Sequence, residues 1–254
     1  EIAHTWFQFL MATNESKHSW MDEGFTSYID DVAMNVVLKE GKALPNANAY
    51  KDYFRWVATG LEEPMTTHAD RFKYNTGYGM SAYDKGSIFL SQLQYIIGKE
   101  SFDNTLKKYF NDWSFRHPKP NDFIRSAEKV SGLELDWYLL DWAQSTMTID
   151  YSVNSVYGAD GKTKIVLKRI GQMGMPIDLR VVLGSGNSLD YNIPMTKMRG
   201  SKPLNNSTLL ESWSWAKPYY EFWIDVDSSR ISKIVIDPKN EMADINRSNN
   251  SLDL

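Results

Sequence analysis

Apolar residues recur at helical spacing through the first 145 positions and at strand spacing after them. The opening residues Glu1-Ile2-Ala3-His4-Thr5-Trp6-Phe7 place Ile2, Trp6, Phe7 and Leu10 on a stripe of period 3.6, which predicts a helix. After a polar loop from Thr13 to Ser19, Phe25, Tyr28, Ile29, Val32, Ala33, Val36 and Val37 predict a second helix with one apolar face. Residues 41–48, with Pro45, form a break, and another helix is predicted over 50–59. Residues 62–79 carry little periodicity and read as a long loop, a type of segment often given to function. A strong helix follows over 81–97, with Phe89, Leu90, Leu93, Ile96 and Ile97 inward and Gly98 closing it. Shorter helices are predicted over 101–113, 120–130 and 135–143.

The period changes near Met147. Val153, Ile165, Leu167, Ile177, Leu179, Val181, Tyr220, Phe222, Ile224, Val226, Ile234 and Ile236 fall in short alternating runs. Asp160-Gly161 and Gly184-Ser185-Gly186 are hairpin-type turns. This half predicts an antiparallel β-sandwich of about seven strands. The expected division is a helical part at 1–145, a sandwich at 146–240 and a polar tail at 241–254 that hugs the surface or frays. The fold class is α+β, multidomain.

Composition narrows the function classes. Hydrophobic residues make up 42% and charged residues 24%, as in a globular protein with an ordinary core. Net charge is −4 with no Lys/Arg run, so nucleic acid is not an expected partner. The chain has no cysteine, which excludes disulfides, thiolate metal ligands and a catalytic thiol. No stretch approaches the roughly 18 apolar residues of a membrane span.

The chemistry sits at the beginning. Glu1 and His4 match the last four positions of an H-E-x-x-H motif. There, two histidines at i and i+4 lie on one helix face, about 40° apart around the axis, and both reach one zinc ion. The intervening Glu lies at the edge of that face and can take a proton from water. A catalytic zinc takes three protein ligands. Glu23, in Trp20-Met21-Asp22-Glu23-Gly24, follows His4 after eighteen intervening residues, a gap that allows a loop and a return on a packed helix. A lone Glu-x-x-His is usually a solvated pair, and a lone Asp-Glu a surface charge. Together, at this gap and between Trp20 and Phe25, they point to a metal site. His18, His68 and His117 have no ligand spacing to a partner. The opening helix also has no N-cap residue, and an α-ammonium on Glu1 would face the positive end of the helix dipole. The expectation is therefore that an upstream segment of the same protein precedes Glu1 and supplies the first histidine.

Residues 1–28 resemble the zinc-binding core of the aminopeptidase N-like and leukotriene hydrolase-like gluzincins, through Glu-Ile-Ala-His-Thr-Trp-Phe and Trp-Met-Asp-Glu-Gly-Phe. Ala82-Tyr83-Asp84-Lys85-Gly86 is similar to that family's Tyr-Glu-Lys-Gly, about sixty residues beyond the ligand Glu. Met175-Pro176-Ile177-Asp178-Leu179, Trp213-Ser214-Trp215, Ile236-Asp237-Pro238 and Asp244-Ile245-Asn246 look like the small sandwich that follows the catalytic domain. The resemblance implies the helical half of a thermolysin-like zinc peptidase domain followed by that sandwich. It implies one Zn²⁺ held by His4, Glu23 and the upstream histidine, with Glu1 as general base and Tyr83 as oxyanion donor. Tyr78 is a candidate for the cleft wall and Asp22 for steadying a ligand, with plain packing and a plain surface acid as their alternatives. The implied activity is removal of N-terminal residues from peptide substrates. The family's amine-binding Gly-x-Met-Glu-Asn segment is not in the chain, so these residues do not separate aminopeptidase from endopeptidase. A catalytically inactive peptide- or protein-binding relative, or a structural fragment whose sandwich docks other domains, stays open as an alternative. Resemblance to short bacterial members, together with the lack of cysteine, favours an exported location.

Overall fold

The computed structural model describes all 254 residues, apart from the side chain of Gln8. The chain divides into two compact units, Glu1–Thr146 and Met147–Leu254.

The first unit is helical. Its α-helices are α1 (Ser19–Val37), α2 (Ala47–Val57), α3 (Asn75–Gly79), α4 (Gly86–Ile97), α5 (Lys99–Trp113), α6 (Pro120–Ser131) and the short α7 (Asp136–Tyr138). Helix α4 is the centre of the core: Ile88, Phe89, Leu90, Leu93, Ile96 and Ile97 are fully buried. Phe89 stands edge-on to Trp20 at 4.8 Å and stacks on Tyr138 at 4.8 Å. Phe25 from α1 packs edge-on against Phe123 of α6 at 4.9 Å. Offset and edge contacts of this kind add to the stabilisation from burial alone. Gly98, at φ +84°, turns the chain between α4 and α5, a conformation that a side chain would resist.

Three π-helical runs, Thr5–Leu10, Met80–Lys85 and Leu139–Ala143, correct the sequence expectations. Bonding from i to i+5 winds more than 3.6 residues into each turn, so a 3.6-period stripe loses its register there. In the opening run Phe7 packs on Phe25 at 5.5 Å, while Ile2 and Trp6, expected on the inward stripe, are exposed. The helix expected over 81–97 is a π-helical turn followed by α4, and that over 135–143 is α7 followed by a π-helical turn. The expected loop at 62–79 contains a 3-10 turn, Ala69–Arg71, and α3. The apolar face expected along all of α1 is buried only in its first half; Val36 and Val37 are exposed.

Helix α1 and the Met80–Lys85 turn meet backbone to backbone. A Cβ built on Gly24 would lie 2.6 Å from Gly86 Cα and 3.0 Å from the Ala82 carbonyl oxygen. Only a residue without a side chain permits this approach. Gly24→Ala is therefore expected to cost about 1–3 kcal/mol of stability through overpacking. A thermal midpoint lower by several degrees in calorimetry checks this, and an unchanged midpoint would refute the contact.

The second unit has eight strands in two sheets. Strands β1 (Tyr151–Ala159), β2 (Lys162–Arg169) and β6 (Tyr219–Ile224) form an antiparallel sheet in the order β1-β2-β6. Strands β3 (Ile177–Leu183), β4 (Ser188–Ile193), β5 (Thr208–Leu209), β7 (Ile231–Ile236) and β8 (Ser251–Asp253) form the other, in the order β5-β4-β3-β7-β8. Asp160 and Gly161 join β1 to β2 with positive φ at both residues, as a two-residue hairpin of matching twist requires. Ile165 and Leu167 of β2, with Leu179 and Val181 of β3 and Ile234 and Ile236 of β7, are buried.

Two details differ from the sequence reading. The β4–β5 pair is parallel, so the larger sheet is mixed. Residues 241–254 are no tail: Ser251–Asp253 pairs with β7, and Met242 and Ala243 are fully buried. The polar residues that suggest a tail are spent on backbone groups. The Asp244 carboxylate accepts the Tyr151 N–H at 2.8 Å and the Asn250 side-chain amide at 3.0 Å, and Asp237 accepts the N–H groups of Glu241 and Met242 at 3.0 and 2.7 Å. Among the described residues, no helix is long and apolar enough to cross a membrane.

Candidate metal centre

The start of α1 carries Asp22, which is buried, and Glu23, which is half-buried. Trp20, Met21 and Phe25 sink into the core, and this anchors the turn on both sides. The segment before the first π-helical run brings His4 over the same turn. His4 Nδ1 lies 2.5 Å from Asp22 Oδ1, and His4 Nε2 lies 3.6 Å from Glu23 Oε2. One ligand atom from each of His4, Asp22 and Glu23 falls within 4.8 Å of the others. Thr26, one turn beyond Asp22, sets its hydroxyl 3.3 Å from the same Nδ1.

This geometry orders the imidazole. With Asp22 as acceptor, Nδ1 carries the proton and Nε2 presents its lone pair towards Glu23, a tautomer assigned from the hydrogen-bond partners. Two donors on a tetrahedral zinc with bonds near 2.0–2.2 Å lie about 3.4 Å apart, so the 3.6 Å between Nε2 and Oε2 fits such an ion. Asp22 is buried, and burial pushes its carboxyl up to about 6; its hydrogen bond with His4 and the charge on His4 work against that, while Glu23 and Glu15 add to it.

Tyr83 comes from the Met80–Lys85 turn, held against α1 by the Gly24–Gly86 contact. Its pKa is raised, first by burial and then by a hydrogen bond to the Glu23 carboxylate and by that group's charge. Tyr78, at the end of α3, stands edge-on to Tyr83 at 6.4 Å and edge-on to Phe72 at 5.7 Å. Burial, together with the charges of Glu23 and Asp22, also raises the Tyr78 hydroxyl. Of the residues singled out in the sequence, the structure thus assembles His4, Asp22, Glu23, Tyr78 and Tyr83. It does not bring Glu1 into that group; Glu1 is exposed.

Sequence reasoning missed Thr26, although its i+4 spacing from Asp22 is a signal that a helix displays. It missed the backbone contact at Gly24 and Gly86 as well.

A family model described as the Peptidase family M1 domain matches residues 1–142, more than half of the chain. The chain belongs to peptidase family M1. The likeness to aminopeptidase N-like gluzincins at residues 1–28 and 82–86 is therefore family membership. Among curated relatives, this M1 chain is 26% identical to Aminopeptidase M1 of Arabidopsis thaliana over 220 residues, 85% of its own length and 23% of that relative's. It is 29% identical to human Aminopeptidase B over 160 residues, 55% of its own length and 24% of that relative's. The crystal structure of Legionella pneumophila aminopeptidase A in complex with aspartic acid shares the fold, with a TM-score of 0.55 and 17% identity over 92% of this chain and 25% of that one. The M1 chain spans about a quarter of the length of each of these proteins.

Proposed function

We propose that this chain forms part of a zinc-dependent metallopeptidase that removes N-terminal residues from peptides. The observation that carries the reading is the His4–Glu23 pair at 3.6 Å, with the other face of the imidazole engaged by Asp22. His4 Nε2 and a Glu23 carboxylate oxygen would hold the ion, and the third ligand would come from outside these 254 residues. When bound, zinc supplies Lewis acidity at the scissile carbonyl and lowers the pKa of water beside it.

The chain's own residues do the rest. Glu1 takes the proton from the attacking water and passes it to the leaving amine. Tyr83, a neutral, partly exposed phenol beside Glu23, donates its O–H to the oxygen that becomes negative in the transition state. Asp22 holds His4 in the ligating tautomer, and Tyr78 braces the Tyr83 ring. Support for the aminopeptidase specificity comes from the family and from the relatives' names.

The experiment is metal removal. The intact protein is expected to carry a single zinc ion and to hydrolyse aminoacyl anilides. Activity should disappear with a zinc chelator and return with added zinc; hydrolysis that resists the chelator would refute the reading. Asp22→Ala is expected to weaken zinc binding by about 10–100-fold while Glu23 and His4 stay in place. Competition against a chromophoric chelator reads that change, and unaltered affinity would remove Asp22 from the role.

One observation favours a second reading. His4 lies between two carboxylates, 2.5 Å from Asp22 and 3.6 Å from Glu23, so the three side chains can face one another without an ion. That would suit a peptide-binding relative without catalysis. A metal-free intact protein that binds peptides would decide for it.

A further inference from the structure

We propose that the dipeptide Glu62-Glu63 is a clamp that fixes the position of Tyr83, with Lys85 and Ser81 as its grips. The Lys85 side chain is 1% exposed and that of Glu62 is 6% exposed, and Lys85 Nζ donates to Glu62 Oε1 at 2.5 Å. The same ammonium donates to the Ser145 carbonyl at 3.3 Å and lies 5.4 Å above the Trp142 ring. Next in sequence, the Glu63 carbonyl accepts the Ser81 hydroxyl at 3.3 Å. Ser81 and Lys85 stand two residues before and two residues after Tyr83. The Glu63 carboxylate also accepts the Lys73 N–H at 3.1 Å and sits where a Cβ on Gly77 would come within 3.3 Å of it. Gly77 adjoins Tyr78, the ring that braces Tyr83.

Two neighbouring residues therefore grip the turn that carries Tyr83 at Ser81 and Lys85, and the second of them also bonds Lys73 ahead of the helix that carries Tyr78. A buried ion pair is a poor source of stability, because desolvating two charges offsets their attraction. What it provides is direction. Tyr83 lies in a π-helical turn, where the regular i→i+4 ladder gives way to i→i+5 bonds. An ammonium held by a carboxylate, a carbonyl and an indole face determines where that turn sits, and so where the Tyr83 hydroxyl stands relative to Glu23. Glu62, Glu63 and Lys85 are positioning residues, and their effect on catalysis rests on the function proposed above.

The test uses the double variant Glu62→Leu with Lys85→Met in the intact protein, which removes both charges at similar volume. It is expected to keep a thermal midpoint close to the parent's. With an aminoacyl anilide, kcat should fall about 10–100-fold while KM holds within about twofold. In a Tyr83→Phe background the same pair of changes should cost less than about twofold more, because the clamp acts through the lost hydroxyl. The Tyr83 resonance of protein labelled with ¹³C at the tyrosine ring, assigned by Tyr83→Phe, should move in the double variant. A stable double variant with parental kcat and an unmoved resonance would overturn the clamp. Should that variant not fold, Ser81→Ala, which deletes one grip alone, is expected to shift the same resonance, and an unmoved resonance there also overturns it. The resonance reads the clamp without turnover: a shifted resonance in a protein with no peptidase activity keeps the clamp and sinks the proposed function.

Discussion

Glu1→Gln in the intact protein is expected to keep its zinc and lose about 10²–10⁴-fold in turnover, the range for removing a general base. Glutamine has the size and shape of glutamate but cannot take a proton from water. Glu1 stands three residues before His4, a spacing that on a helix would put it at the edge of the ligand face; in the structure residues 1–3 precede the first helical run. In the structure Glu1 is exposed and His4 alone of the two joins Asp22 and Glu23, so the residue is free to meet water. The proposed roles therefore separate cleanly. Losing Asp22 should be read in the metal, losing Glu1 in kcat. Zinc measured by atomic emission beside kcat for an aminoacyl anilide checks both. A Glu1→Gln protein with full zinc and parental kcat would sink the proposed base.

Part of this centre was legible in the chain because His4, Asp22 and Glu23 lie within twenty residues of one another, the last two on the regular helix α1. The eighteen-residue gap from His4 to Glu23 leaves room for a loop and a return on a packed helix, and the structure sets His4 Nε2 and Glu23 together while Glu1 stays outside the cluster. The hairpin at Asp160-Gly161 was legible for the same local reason: both residues must take positive φ, and both do. What escaped is long-range or irregular. The Gly24–Gly86 contact joins residues 62 positions apart, and no local pattern announces that two backbones will touch. The Glu62–Lys85 pair looks like two surface charges until the fold buries both. The π-helical runs mislead a 3.6-residue template, which is why that template puts Ile2 and Trp6 on an inward stripe while the structure exposes them. Residues 241–254 read as a tail because their Asp and Asn side chains answer backbone groups within the second unit, and polarity alone does not distinguish that from solvation.

These missed contacts share a consequence for the site. Glu23 and Tyr83 reach it from separate elements, and each element is held next to the functional residue by a contact that tolerates little change. Gly24 follows Glu23 directly, and Gly86 lies three residues beyond Tyr83. An added methyl at either glycine pushes α1 away from the turn, so Gly24→Ala should lower stability and loosen the Glu23–Tyr83 hydrogen bond together. Precision at the centre thus depends on backbone contact as much as on the polar groups themselves.

Tyr83→Phe is expected to lower kcat by about 10²–10³-fold, the cost of deleting one oxyanion donor, and to leave KM nearly unchanged. The ring itself should stay in place, since its edge-on contact with Tyr78 at 6.4 Å needs no hydroxyl. The variant therefore isolates the O–H. Burial, the hydrogen bond to Glu23 and the charges of Glu23, Tyr78 and Asp22 all push the phenol above its ordinary value. A raised pKa keeps the proton on, so the donor is present throughout the neutral range and is not lost as pH rises through the usual tyrosine range. An alkaline decline in kcat below that range should then survive in Tyr83→Phe, because it belongs to another group. Parallel pH profiles of the two proteins, offset by the expected factor, would match the donor role. A profile in which the alkaline limb vanishes with the hydroxyl would make Tyr83 the titrating group and overturn it. An equal kcat in the two proteins would remove Tyr83 from the chemistry and leave it as a packing residue of the Tyr78–Tyr83 pair.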